Sequence, residues 1–444
     1  MNQQPQVRVG ILSSPYIRFT LTGLYSGPDG VLTEGSHEAR INDSGISFTL
    51  DGKTYTSVEF HPNTYTGDTF ELEGVTIGVD FHWQRKENQR FRGSLRIIVQ
   101  DGKLMAINVV DVEDYLVSVI SSEMKSTSSL SLLKAHAVIS RSWVLSMMSH
   151  DRTTAKPGEN NLKPTAMNAV PSLIKYWDRE DHRNFDVCAD DHCQRYQGIN
   201  RVSTSLAAGA VNDTYGEVLT HKGKLCDTRF SKCCGGVFEQ FETCWDDDPR
   251  PYLKAGRDAA DTFDYPDLTE EENASQWILN NPEAFCNTTD RMVLSQVMNG
   301  YDMETPDFYR WTVELTQEKI STLLATQLNT DFGAILALVP LSRGTSGRIR
   351  ELKIVGSKCE LIIGKELLIR RALSDTHLYS SAFAVEPHSP DADGIPTGFT
   401  LHGAGWGHGV GLCQIGAAIM GERGYSYDEI LRHYYADASI TKLY

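Results

Sequence analysis

The sequence predicts a mixed α+β fold with a β-rich N-terminal part over 7–110, followed by two helices and a long tail of strands, turns and further helices. Two changes of period carry this reading. Gln6-Val7-Arg8-Val9-Gly10-Ile11-Leu12 and parts of Ser94-Leu95-Arg96-Ile97-Ile98-Val99 alternate with period two, as half-buried strands do. From 111 to 150 the apolar residues fall at helical spacing instead, with Val112, Leu116, Val119 and Ile120 on one stripe. No internal repeat and no low-complexity tract interrupts the chain.

The elements follow in order. Gly27-Pro28-Asp29-Gly30, Asp51-Gly52 and Asp101-Gly102 punctuate the strands, and the last predicts a hairpin into Lys103–Val110. After Ser126-Thr127-Ser128, read as N-caps, a second helix is expected from about Leu130 to Met148. Residues 151–180 read as a polar loop with Pro157-Gly158, Pro164 and Pro171, and 185–250 as short strands and Gly-rich turns. The acidic stretch 258–290 is expected as an exposed connection, Gln317–Leu328 as a helix and Ile349–Ile369 as strands. Ser426 with Glu429 three residues on forms a capping box ahead of Ile430–Tyr435.

The bulk numbers exclude several classes. With 444 residues, 40% hydrophobic and 23% charged, the chain has the composition of a folded protein. A net charge of −16 argues against a nucleic-acid partner and against docking on anionic lipid. No transmembrane segment is present, since the longest apolar run, Phe332–Leu341, is half of what a bilayer requires. The sequence also shows no signal peptide, which predicts either a cytoplasmic protein or one whose numbering begins after processing. The nine cysteines, an odd number scattered between 188 and 413, read as free thiols with one metal site rather than as a disulfide scaffold.

Four places carry chemistry. Glu123 continues the apolar stripe of the first helix, at i+4 from Val119 and i+3 from Ile120. It either points to water at the helix end or is partly desolvated, which favours the protonated form that a general acid needs. Glu113 and Asp114 in the first turn read as solvated acids that suit the helix dipole. Arg141 lies on an apolar face of the second helix and either clamps a substrate carboxylate, anchors Glu123 or snorkels to the surface. His182, Cys188, His192 and Cys193 fall within twelve residues and make a ligand set of the kind zinc takes, or else buried thiols. Cys226, Cys233, Cys234 and Cys244 either make a second metal site or, as the preferred reading, stay free thiols, and Gly235-Gly236 reads as a tight turn where backbone approaches something.

The fourth place is His402–Gly411, where glycine stands at 403, 405, 407, 409 and 411. That alternation permits close backbone approach, either within a tightly packed hairpin or to a ligand met by Trp406, His408 and Gln414. It is neither a dinucleotide fingerprint nor a phosphate loop. No metalloprotease pair and no Ser-hydrolase elbow is found, and the Asn287-Thr288-Thr289 sequon carries weight only in a secreted protein.

Three ordered segments resemble the stage II sporulation protein D and amidase-enhancer (LytB-type) family. They are Val112–Met124 with Leu133–Val138 and Ser140–Trp143; then Cys193–Gly198 with Thr214–Leu219 and Cys234-Gly235-Gly236; then Gly405–Gly411 with Gln414–Ala417 and His433-Tyr434-Tyr435. The resemblance implies a crescent with a central cleft, two helices carrying the catalytic segment, a catalytic region over 111–444 and an elaborating arm over 258–385. It implies a lytic transglycosylase that cuts MurNAc-GlcNAc strands of peptidoglycan stripped of their peptides, leaving 1,6-anhydroMurNAc ends, with Glu123 as the catalytic residue. Arg141, Gly235, Gly236, Trp406, His408 and Gln414 are then substrate-binding candidates. His182, Cys188, His192 and Cys193 are zinc candidates, the metal being structural and not required for the chemistry. The alternative within the family is a non-catalytic glycan-binding enhancer of a cell-wall amidase. The family also offers the cell envelope as the compartment, although this chain departs from it in showing no export signal and in carrying Cys233-Cys234.

Overall fold

The computed structural model describes residues 4–78, 84–125, 128–149, 161–163, 170–176, 182–190, 192–201, 205–260, 264–297 and 307–444. The chain forms two compact units: one of Met1–Arg152, Asp181–Asp227 and Ser439–Tyr444, the other of Thr153–Glu180 and Thr228–Ala438. Among the described residues, no helix is long and apolar enough to cross a membrane.

In the first unit the N-terminal residues form the expected sheet. Strand β1 (Gln6–Ser14) lies antiparallel to Lys103–Asp111 on one side and parallel to Val187–Cys188 on the other. Lys103–Asp111 pairs in turn with Ser94–Gln100 through the Asp101-Gly102 hairpin. Both turn residues have positive φ, 51° and 72°, the conformation that a two-residue turn of this hand requires and that Asp-Gly adopts at low cost.

The strand Lys103–Asp111 runs straight into α1 (Val112–Glu123), with Asp111 as N-cap. The Asp111 carboxylate does not cap the helix; Gln4 and Gln6 donate to it at 2.8 and 3.0 Å. Helix α2 (Leu130–Met148) occupies the span its periodicity predicts, but its cap is Ser129, whose hydroxyl accepts from the Leu132 N–H. Of the three residues expected to cap it, Ser126 and Thr127 lie outside the described residues, as do Pro157, Gly158 and Pro164 of the expected loop. Every residue of α2 from Ala135 to Ser146 is buried. It is therefore an interior helix rather than an amphipathic surface one.

Two sequence expectations are corrected here. Glu113 is buried rather than solvated, and Arg141, wholly buried, is its partner. Arg141 Nε and Nη2 donate to the two oxygens of Glu113 at 2.9 and 2.7 Å, a bidentate pair. The guanidinium also reaches the carbonyls of Glu217 and Val211, so it meets neither solvent nor Glu123, and no face is left for a substrate carboxylate. Glu113 further accepts from the Gly216 N–H and the Tyr444 hydroxyl. One buried pair thus joins α1, α2, the segment 211–217 and the strand Ser439–Lys442 that continues to Tyr444.

The second unit holds a five-stranded sheet in the order 161–163, 172–174, 360–364, 349–356, 335–343, and a three-stranded sheet in which Gly398–Ala404 lies between Arg310–Thr316 and Phe383–Pro387. The helix Gln317–Leu328 has the bounds its pattern predicts, capped by Thr316 and ended by Asn329 in the left-handed conformation. It packs into a core with Ile335, Ile349, Leu352, Ile354 and Ile363. Within Ile349–Ile369 the strand reading holds to Gly364, after which the chain turns into the helix Glu366–Ala372. The stretch 258–290 is not an exposed connection: it contains the helix Glu271–Leu279, and Asp258, Leu268, Ala274, Ile278, Phe285 and Cys286 are buried. Its acidic side chains outnumber the few apolar residues that pack, two of which, Ala274 and Ile278, lie a helical turn apart. The Ser426–Glu429 capping box forms as expected.

Removing one member of a buried ion pair strands the other's charge. Arg141→Met is expected to cost the first unit about 3–5 kcal/mol, whereas Arg141→Met with Glu113→Leu restores most of it. Urea unfolding of the two variants checks this, and an unchanged midpoint in Arg141→Met would contradict the role given to the pair.

Candidate active site and metal-binding groups

Glu123 is the last residue of α1 and is buried. The backbone N–H of Arg195 donates to its Oε1 at 3.3 Å. Arg195 belongs to a segment bound to α1 along its whole length. The Tyr115 hydroxyl donates to Gln194 Oε1 at 3.2 Å, and the Ser118 hydroxyl to the Gly198 carbonyl at 2.8 Å. Tyr196 stacks between Tyr115 and Phe91, with centroids 5.1 and 5.7 Å away, and its hydroxyl donates to Asn108 Oδ1. Burial pushes the phenols of Tyr115 and Tyr196 well up, so both remain neutral donors. Gly198 closes the segment at φ 65°, where a Cβ would lie 2.2 Å from the Arg90 carbonyl oxygen. The face of α1 that ends in Glu123 is thus held by hydrogen bonds and ring contacts, not by apolar packing alone.

The same segment begins in the Cys-His group. The ligand atoms of His182, Cys188, His192 and Cys193 all lie within 4.8 Å of one another. His182 Nε2 is 3.4 Å and His192 Nδ1 3.5 Å from the Cys193 sulfur, and Cys188 lies 3.9 Å from His192 Nδ1. Pairing of Val187–Cys188 with β1 places Cys188, and His182 stacks on Phe185, whose ring fills the space above Gly10. The hydrogen bond with Cys193, joined by those of His182 and His192, holds the Cys188 thiol far below the usual range against the effect of burial. Two thiols and two imidazoles so placed could hold a metal ion. Cys193 and Arg195 are two residues apart, so the group's position bears directly on the N–H that meets Glu123.

In the second unit, the glycine-rich segment is not a strand. The regular strand ends at Ala404, and Gly405, Gly407, Gly409 and Gly411 all have φ between 71° and 90°. Alternation here marks every second residue in the left-handed region. Arg348, unforeseen in the sequence, explains one of them: it is fully buried, its guanidinium donates to the Gly407 and Cys234 carbonyls, and a Cβ on Gly409 would lie 2.4 Å from it.

His408 packs edge-on against Trp245 at 4.8 Å and accepts the Val410 N–H at Nδ1. Burial, then the neighbouring Arg229 guanidinium, hold its imidazole well below the usual range. The neutral ring therefore carries its proton on Nε2. Trp406 is partly exposed, stacked on Phe308 with centroids 4.7 Å apart.

The other three ligand-facing candidates are corrected. Gln414 is buried at the start of the helix Gln414–Glu422. Gly235 and Gly236 are buried too, and what their backbone approaches is the chain itself, Ala404-Gly405 and the Tyr309 hydroxyl.

The profile of the stage II sporulation protein family matches residues 100–221, which contain α1, Glu123 and the Cys-His group. A domain of unknown function, DUF8618, matches 239–411. Stage II sporulation protein D of Bacillus amyloliquefaciens is 24% identical over 342 residues, 76% of each chain. Stage II sporulation protein D of Bacillus subtilis is 21% identical over 341 residues, again 76% of each. The amidase enhancer of Bacillus subtilis is 24% identical over 242 residues, 52% of this chain and 32% of that protein. Residues 100–221 thus carry the stage II sporulation protein domain, and the chain is similar to stage II sporulation protein D over about three quarters of its length and to the amidase enhancer over about half.

Proposed function

We propose that this protein is a lytic transglycosylase of the cell envelope, cutting peptide-stripped MurNAc-GlcNAc strands with Glu123 as acid and then base. The observation that carries the reading is a buried carboxyl at the carbonyl end of α1, oriented by the Arg195 N–H. General acid catalysis needs a carboxyl held in place until a substrate oxygen takes its proton, and this one is held by a helix end and a backbone N–H.

In the proposed reaction Glu123 gives its proton to the glycosidic oxygen as the bond to the muramyl anomeric carbon breaks. The resulting carboxylate then takes the proton of the muramyl 6-hydroxyl, whose oxygen closes on the anomeric carbon. The 1,6-anhydro ring forms, Glu123 is protonated again and no water is consumed. One carboxyl group suffices because the second nucleophile is part of the substrate, unlike the paired carboxylates of glycoside hydrolysis. Zinc on His182, Cys188, His192 and Cys193 would hold the 188–195 segment and take no part in proton transfer. Trp406 offers its indole to a sugar face, with the neutral His408 beside it in sequence.

Glu123→Gln is expected to keep the folded transition and lower release of anhydromuramyl ends by at least about 100-fold. Mass spectrometry of digested denuded strands checks this; wild-type turnover in the variant would sink the assignment. The likeness to an amidase enhancer favours a second reading, a glycan-binding partner of a cell-wall amidase. In that case neither wild type nor Glu123→Gln yields anhydro ends alone, and both raise the amidase's product equally.

Replacing His182→Ala with Cys193→Ser is expected to remove one equivalent of zinc and slow turnover by about 10–100-fold, as loss of support around a site does. Elemental analysis and the same digestion assay read the two effects. Full activity in the zinc-depleted variant would separate the metal from the positioning of Glu123.

A further inference from the structure

The second unit contains another convergence of soft ligands, which the sequence spacing hides. Cys234, Asp258, Cys286 and Cys413 place one ligand atom each within 4.8 Å of all the others, and all four residues are buried. They come from the turn before Val237–Phe238, the end of Gly256–Arg257, the loop after Glu271–Leu279, and the N-cap of Gln414–Glu422. Of the four thiols read together in the sequence, Cys234 joins the group while Cys226, Cys233 and Cys244 stay outside it; Cys286 and Cys413 come from farther along the chain.

We propose that Cys234, Asp258, Cys286 and Cys413 form a second, structural zinc site that locks the glycine-rich segment in place. Bonds of about 2.3 Å to sulfur and 2.0 Å to oxygen in a tetrahedron put neighbouring ligand atoms roughly 3.5–3.8 Å apart. The Cys234 sulfur is 3.5 Å from that of Cys286 and 3.4 Å from Asp258 Oδ2. A disulfide needs about 2.0 Å between sulfurs, so Cys234 and Cys286 are neighbours and not a bonded pair. Three thiols with one carboxylate select a borderline-soft ion over calcium or magnesium.

The surroundings fit a cation as well. Asp258 is fully buried, and among the described residues no Lys or Arg pairs with it. The Tyr434 hydroxyl donates to Oδ1 at 2.7 Å, the Cys286 N–H donates to Oδ2 at 3.1 Å, and His433 lies 3.6 Å away. Apart from that imidazole contact, the buried carboxylate is met by a hydroxyl and an amide, and a bound metal would place positive charge beside it. The Cys234 N–H donates to the Cys413 sulfur at 3.2 Å, the orienting contact that metal-bound thiolates receive. Gly416 lets the helix approach, since a Cβ there would lie 2.6 Å from either Asp258 oxygen. Next to Cys234, Cys233 exchanges both backbone hydrogen bonds with Trp406, so the site fixes the loop that carries the partly exposed indole.

The full chain carrying His182→Ala and Cys193→Ser lacks the first group and isolates the second. Elemental analysis of that protein is expected to find one zinc per chain, and exchange with cobalt to give tetrahedral visible bands with thiolate charge transfer. Adding Cys286→Ser should abolish the cobalt thiolate bands or shift them to those of a two-thiolate site. A folded, metal-free double variant whose thiols all alkylate would overturn the proposal. So would a Cys234–Cys286 disulfide in the intact mass, or iron in place of zinc.

Discussion

The first unit depends on a carboxylate and a guanidinium that would each be costly to bury alone. Glu113 and Arg141 neutralise one another in bidentate geometry, and the remaining donors and acceptors are met by the Gly216 N–H, the Tyr444 hydroxyl and two carbonyls. Such a pair adds little net stability compared with apolar residues of equal volume, because desolvation cancels most of the attraction. What it adds is selectivity. A helix pair packed by leucines and valines alone tolerates rotation, whereas here any turn of α1 about its axis would break charge-assisted bonds in a dry interior. The orientation of Glu123, ten residues along the same helix, follows from that restriction.

A helix fixed at its start still frays at its end, and the end is where Glu123 lies. There the segment from Cys193 to Gly198 supplies a second attachment, through Gln194, Arg195, Tyr196 and the Gly198 carbonyl. The segment itself has little regular structure, so its own position depends on the Cys-His group at one end and the left-handed Gly198 at the other. Proton transfer at a glycosidic oxygen tolerates little error in the placement of the acid. In the proposed reaction, a rigid helix, an internal ion pair and a ligand-rich loop would together meet that demand without a second carboxylate.

What was legible in the sequence follows the range of the forces involved. The Asp-Gly hairpin, the spans of α2 and Gln317–Leu328, and the Ser426–Glu429 box are local, and each was read to within a residue or two. The His182–Cys193 group was legible because its ligands lie close in sequence. Glu113 and Arg141 were both noticed but assigned to water and to substrate, since periodicity shows that a charge faces the interior and not which charge it meets. Arg348 and the Cys234–Cys413 group left no local signal, their partners being 114 and 179 residues apart. The stretch 258–290 was misread because its acids outnumber the few apolar positions that pack.

The glycine alternation shows how one pattern supports two structures. A strand with glycine at every second place would bare one face to a ligand, which is what the composition of 403–411 invites. Instead, Gly403 stays in the strand while Gly405, Gly407, Gly409 and Gly411 take positive φ, which bends the backbone repeatedly and turns the Gly407 carbonyl toward Arg348. Backbone that curls so tightly over a buried cation has used most of its own hydrogen-bonding capacity internally. Of the side chains singled out in the sequence here, Trp406 and His408 remain partly exposed. A loop with four glycines loses much entropy on ordering, so the contacts that hold it must be strong and must come from outside it. Arg348 supplies one of them, and the Cys233 ladder to Trp406 a second. The ligand cluster beside that ladder is the feature best placed to supply the third.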